Sequence, residues 1–415
     1  MQTGMDIKKV FLGALGALFV LWALAAVPNV LGQRKLFFNE ANEELYDFWM
    51  PRMCLEQGYI GHPERYAWLW NLGNDERIEI DERDVVCSGW YTDGKTTRFI
   101  TGWRDKVYPR FAILPFALFP ATRAGSLLWT ALAGLVLLTA LCAIARSPWP
   151  VLLAMGMPFL FNLERGNPIW LSAAGVGVFL AWWDSPSERR RLVAAACLAV
   201  AGAMKIAPLA LGILYFTKWR WRPVLLCAVL TAIFVFVPWL FDADGMAAFS
   251  AMMRNAADHA EYVLRFSDFG LVELWRTARL LTGQSVDEVW PGMTAVARAS
   301  QALGVVLLVA GARRRDLLLL VAGMIFAAGN MYYYAALYLY PVLVLEFPRL
   351  PAEGAQTREG RFVVAEAALW LALLCPVQWI AFGHSANQVI GNTALLGLVA
   401  LRLAAPRNRQ AASMP

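Results

Sequence analysis

The chain has 415 residues, of which 59% are hydrophobic and 16% charged, against about 45–50% and about 25% in soluble domains. That balance excludes a soluble globular domain and calls for a chain dissolved in lipid along most of its length. Short alternating strands are absent, so the spanning structure is helical rather than a barrel. The net charge of +6 is carried in short loops, as the positive-inside rule requires, and implies no nucleic-acid partner.

Lys8 and Lys9 precede the apolar run Val10 to Leu31. Its length favours a retained first helix. A signal peptide cleaved near Ala23-Leu24-Ala25 is the alternative. An outer segment, 32–110, follows and opens with the acidic cluster Glu40, Glu43, Glu44 and Asp47. Within it, Asp93-Gly94 between the alternating stretches Val85–Tyr91 and Thr96–Trp103 predicts a small β-hairpin. Cys54 and Cys87 share this segment, where an oxidising compartment permits a disulfide; two unrelated thiols are the other reading. The short, apolar, proline-rich stretch Tyr108–Pro120 is expected to lie along the membrane rather than cross it.

Basic clusters then mark alternate loops, among them Arg189-Arg190-Arg191, Lys218 to Arg222 and Arg313-Arg314-Arg315. The apolar runs between them are Leu127–Ala145, Pro150–Leu163, Ile169–Trp183, Leu192–Met204, Ala207–Phe216, Val224–Phe241, Ala295–Ala312, Leu317–Gly329, Tyr332–Phe347, Phe362–Phe382 and Val389–Ala404. With the first run they give about twelve transmembrane helices and both termini inside. Several runs are shorter than the ~20 residues of a full span, and are expected to be tilted or broken. A second outer segment covers 242–293, and residues 1–415 form a single integral-membrane domain.

A charge deep in a bilayer costs about 2.5–3.5 kcal/mol on insertion scales. Arg110, Arg165 and Lys205 each lie at the outer end of an expected helix or helix pair. Arg165 and Lys205 fall in tight reversals and suit a lipid phosphate, which cations neutralise and Arg grips in a bidentate way. For Arg110 and Arg123, extension to the interface is the simpler reading. His62, His259 and His384 are scattered, and no Cys/His spacing predicts a metal site. No cofactor is expected.

Certain segments resemble glycosyltransferase family 87, of the GT-C superfamily of polyprenyl-phosphate-sugar-dependent transferases. Asp47-Phe48 with Gly58-Tyr59 is similar to the family's Asp-Phe segment after the first helix. Tyr108-Pro109-Arg110-Phe111 resembles its Tyr-Pro-Pro segment. Arg165-Gly166-Asn167 is similar to its Gly-Asn turn, and Lys205-Ile206-Ala207-Pro208-Leu209 to its Lys-x-x-Pro turn. Tyr332 to Leu343 is similar to a later helix, with Tyr334 where many members carry His.

The resemblance implies a GT-C-type helical fold and an inverting hexosyl transfer, with mannose the first sugar to expect. The donor would be a polyprenyl-phosphate sugar and the acceptor a lipid or glycan. Asp47 would be the general base. Arg165, Lys205, Asn167 and Arg110 would bind the donor phosphate, and Glu44, Asp268, His259 and Tyr334 would contact acceptor or sugar. The partners are thus donor, acceptor and membrane lipid. The protein is expected in the inner (plasma) membrane as a multi-pass chain, its site facing the periplasm or exterior. A secondary transporter, or a lipid-glycan ligase or flippase-like protein, is the alternative. A transporter would favour internal repeats and midplane polar residues.

Overall fold

The computed structural model describes residues 6–18, 20, 46–57, 69–70, 77–78, 89–92, 97–100, 107–263, 269–284, 286–329, 333–349, 358–375, 380–381 and 384–404. It is helical. Residues 7–18 form α1, and Tyr46–Gln57 forms α2. Three short antiparallel pairings accompany the helices. Leu69–Trp70 (β1) pairs with Arg77–Ile78 (β2). Gly89–Thr92 (β3) pairs with Thr97–Ile100 (β4), with Thr92 opposite Thr97, so the Asp93-Gly94 turn signal lies between them. β4 packs against α2.

The remaining helices are α3 (Arg110–Ile113), α4 (Arg123–Ala145), α5 (Met157–Arg165), α6 (Ile169–Trp182), α7 (Glu188–Met204), α8 (Ile213–Thr217) and α9 (Trp221–Phe236). Then come α10 (Gly245–Val263), α11 (Leu271–Leu281), α12 (Val286–Arg314), α13 (Leu317–Ala327), α14 (Leu339–Glu346), α15 (Arg358–Leu374) and α16 (Ala386–Ala404).

Every apolar run expected to be a crossing is helical over at least part of its described residues. Three stretches are long and apolar enough to span a membrane unaided: Ala124–Ala145, Trp221–Phe241 and Gly292–Arg314. Ile169–Trp182, Ala207–Thr217, Leu317–Ala327, Tyr333–Glu346 and Val389–Ala404 are apolar but shorter. The protein is therefore a multi-pass membrane protein of long and short helices. Several short runs are broken, not merely tilted. A 3-10 turn at Trp149–Met155 precedes α5, and one at Ala207–Gly212 precedes α8. Pro150 and Pro208 sit at the start of these turns and lack the N–H that a continuous helix needs.

Two elements depart from the sequence reading. The expected run Phe362–Phe382 stops as a helix at Leu374, ahead of Pro376, which disfavours helical backbone at the residue before it. Ile380–Ala381 (β5) then pairs with His384–Ser385 (β6). The 242–293 segment is not simply loop: α10, α11 and the first turns of α12 occupy most of it.

The core centres on α13 and the Tyr333–Glu346 stretch, where nearly every side chain is buried. α12 and α13 approach through small residues. A Cβ on Gly304 would lie 2.1 Å from the Ala327 nitrogen, and one on Gly323 would lie 2.6 Å from the Leu308 nitrogen. Without a hydrophobic drive between helices in lipid, such close backbone packing holds the pair together.

Candidate functional site

Asp47 lies in the first turn of α2, where a carboxylate favours the helix dipole. It is buried among Phe48, Trp49 and Met50. Its Oδ2 accepts a 2.8 Å bond from Arg165 Nε, an ion pair whose side chains are only 4% and 13% exposed. Arg165 is the last residue of α5. The helix stops there because Gly166 adopts a left-handed conformation (φ 69°) and donates its N–H to the Asn162 carbonyl, a termination that glycine allows without steric penalty. The Gly166 carbonyl accepts a 2.8 Å bond from Trp129 Nε1, which pins the turn to α4.

Asn167 is fully buried. Its Oδ1 accepts the Ile169 N–H at 3.0 Å, opening α6, and its Nδ2 donates to the Tyr108 hydroxyl at 3.2 Å. Its amide is therefore a structural joint between the α5–α6 turn and the Tyr108 segment.

Lys205 follows α7 in extended backbone. Its ammonium stands 4.7 Å from the Tyr108 ring centre and 5.6 Å from that of Tyr334, a cation–π setting. Among the described residues it forms no ion pair. Burial pushes its pKa down to about 8, with Arg165 adding to the fall and Asp47 opposing it. Tyr334 is itself buried and held from behind. Ser172 on α6 meets both the Ala201 carbonyl (3.0 Å) and the Tyr338 hydroxyl (2.8 Å), so the Tyr333–Tyr338 turn is tied to α6 and α7. Phe161 completes the wall, 6.3 Å from Tyr334 and 5.9 Å beneath the Arg165 guanidinium.

Of the residues singled out in the sequence, Asp47, Arg165, Asn167, Lys205 and Tyr334 thus meet in one cluster. Arg110 is placed on a carboxylate, 3.3 Å from Asp242, and so joins the two segments expected to lie outside. Glu40, Glu43, Glu44, Asp268 and Cys87 lie outside the described residues, as does the side chain of His259 in α10. The Cys54–Cys87 pairing therefore stays an expectation. Tyr108, Phe161 and Asp242 were missed as site residues. Tyr108 stood in a recognised motif, but nothing local signals a partner 97 positions along the chain.

Chemically, the cluster offers a fixed carboxylate, an ammonium that has no acidic partner among the described residues, and aromatic walls. Trp129, which anchors the Gly166 turn, is six residues inside α4, or about 9 Å by helical rise. α6, with 14 residues, rises only ~21 Å, less than the ~30 Å hydrocarbon core.

No curated protein and no solved structure matches the chain. Residues 107–337 match the family model of glycosyltransferase family 87, a span that holds Tyr108, Arg110, Arg165, Asn167, Lys205 and Tyr334 and begins after Asp47. Since that match covers more than half of the sequence, the chain belongs to glycosyltransferase family 87 and is a membrane glycosyltransferase, with a sugar donor and an acceptor as its substrates.

Proposed function

We propose that this enzyme transfers a hexose, with mannose the first to test, from a polyprenyl-phosphate donor to a hydroxyl of a lipid or glycan acceptor on the outer face of the membrane. The observation that carries the reading is the meeting of Asp47 and Lys205 in one cluster: a carboxylate suited to take a proton beside a cation suited to hold a phosphate. The acceptor O–H gives its proton to Asp47 as its oxygen attacks the anomeric carbon. The bond from that carbon to the phosphate oxygen breaks on the opposite side, so the configuration inverts. The electron pair leaves on the polyprenyl phosphate, whose growing charge Lys205 balances. Arg165 and Asn167 stand beside this position, and Arg110, paired with Asp242, would reach the donor from the outer segments.

The test is transfer from radiolabelled polyprenyl-phosphate mannose in membranes with and without the protein. A positioned base contributes about 10²–10⁴-fold, so Asp47→Asn should reduce turnover by roughly 10²-fold or more while the protein still inserts and binds donor. Near-normal turnover in Asp47→Asn together with loss in Glu44→Gln would mean the base is another member of the acidic cluster. Use of a lipid-diphosphate donor instead would point to a ligase.

A further inference from the structure

The ends of α6 and α7 away from Asp47 and Lys205 carry a second constellation. Asp184, after α6, accepts bonds from both Lys218 and Arg220, the latter at 2.9 Å. Glu188, opening α7, pairs with Arg222 at 2.8 Å. Arg191 Nη1 donates to the carbonyls of Ser185 (2.6 Å) and Pro186 (2.9 Å). The α6–α7 and α8–α9 turns are thereby clamped into one surface, in which two carboxylates face the six cations Arg189, Arg190, Arg191, Lys218, Arg220 and Arg222. Arg189 and Arg190 are exposed, and Arg190 lies 5.8 Å over the Trp182 ring.

Large aromatic side chains project beside these cations. Trp219 is 73%, Trp221 57% and Phe216 50% exposed. Their rings touch chiefly one another, Trp219 to Trp221 at 5.7 Å and Phe216 to Trp221 at 6.0 Å. Trp219 also holds a left-handed backbone (φ 50°), which is unfavourable for any residue with a Cβ. That conformation turns the indole outward, beside the exposed arginines.

The direction of the surface identifies the partner. Trp221, Leu225, Val229 and Ile233 recur every four residues along α9, and each is exposed. They form one apolar stripe leading away from the cations. A basic head joined to an apolar track matches an anionic head joined to an acyl chain. Tryptophan favours this boundary, Arg grips phosphate oxygens, and basic clusters at a membrane surface attract anionic lipid.

We propose that this clamp binds an anionic phospholipid. Arg189, Arg190 and Arg222 take the headgroup phosphate, Trp219 and Trp221 enter the headgroup boundary, and an acyl chain follows the α9 stripe. This site is separate from the donor site and does not depend on the sugar chemistry.

Thermal unfolding of the purified full chain in neutral detergent, with phosphatidylglycerol or phosphatidylcholine added, tests the idea. Phosphatidylglycerol should raise Tm and phosphatidylcholine should not; equal shifts overturn the proposal. The combined variant Arg189→Gln, Arg190→Gln, Arg222→Gln should bind phosphatidylglycerol at least about tenfold more weakly than the unaltered chain, read as the difference between its Tm in phosphatidylglycerol and its own Tm in phosphatidylcholine. Full retention of the phosphatidylglycerol shift overturns the proposal. Glycerol phosphate, the headgroup without chains, should give no shift; a shift equal to that of the lipid would make this a simple anion site and sink the idea. If the combined variant fails to fold, Trp219→Ala decides, because its side chain lies outside the ionic clamp. Native mass spectrometry should then show several-fold less retained phosphatidylglycerol, and undiminished retention refutes the site.

Discussion

At the residue scale, the fold gives Arg165 and Lys205 different surroundings, and the proposed reaction then gives them different roles. Both suit a phosphate by charge. In the folded chain Arg165 is bonded to Asp47, while Lys205 faces two tyrosine rings and, among the described residues, no carboxylate. Arg165→Gln should therefore lower kcat by about tenfold or more through loss of the base's orientation, with a smaller change in donor KM. Lys205→Ala should raise donor KM by roughly 10²-fold, as when one partner of a buried charge contact is truncated. The reverse pattern in steady-state kinetics would exchange their roles. The pH profile adds a second reading. With Lys205 at about 8 rather than its ordinary 10.5, donor capture should weaken as pH rises through 8. Lys205→Arg should abolish that dependence, since Arg stays charged. The effect on stability has the opposite sign. Between these two values the unfolded chain binds more protons than the folded one, so this group's contribution favours the fold increasingly as pH rises through the window.

At the element scale, broken helices and tight glycine contacts do the positioning. The Pro-initiated 3-10 turn ahead of α8, and the equivalent turn ahead of α5, shorten two helical runs. The α5–α6 and α7–α8 reversals then bring Arg165 and Lys205 to one place. The α12–α13 pair supports the buried Tyr333–Tyr338 turn through neighbouring core helices. Gly304→Ala would drive a Cβ against backbone rather than against a yielding side chain. Overpacking of that kind costs about 1–3 kcal/mol. The variant should unfold at a lower temperature in detergent, and an unchanged Tm would show that the helices separate freely. At the basic end of the bundle, Arg402 on α16 gathers Asp316, Glu346 and Glu366 from three other helices, with Glu346 at 2.5 Å. That joint fixes helix ends rather than chemistry.

At the scale of the whole molecule, the basic turns and the Asp47 cluster lie at opposite ends of α6 and α7. If the basic turns face the cytoplasm, an impermeant thiol reagent added to whole cells should label a single cysteine at position 95 and leave one at position 314 unlabelled. The reverse labelling would invert the protein and place the transfer reaction inside. Membership of a glycosyltransferase family also sets aside the transporter reading at this scale.

The helical membrane class was written in composition. Nearly every helical run was legible as an apolar stretch between charged turns, because lipid demands such stretches wherever the backbone crosses. The chemistry of single positions was legible in part: an Arg or Lys is expensive near lipid, so Arg165 and Lys205 stood out before any contact was known. Their partners did not. Asp47 and Arg165 are 118 positions apart, and no local pattern distinguishes a carboxylate that receives an arginine from one that faces water. Tyr108, whose ring covers Lys205 and whose hydroxyl holds Asn167, stood in the sequence as the start of an apolar, proline-rich stretch. Pairings of this kind come from packing, which brings together side chains that share no local periodicity. Only the tertiary structure could decide that Arg165 is bonded to Asp47 while Lys205 stands against two tyrosine rings.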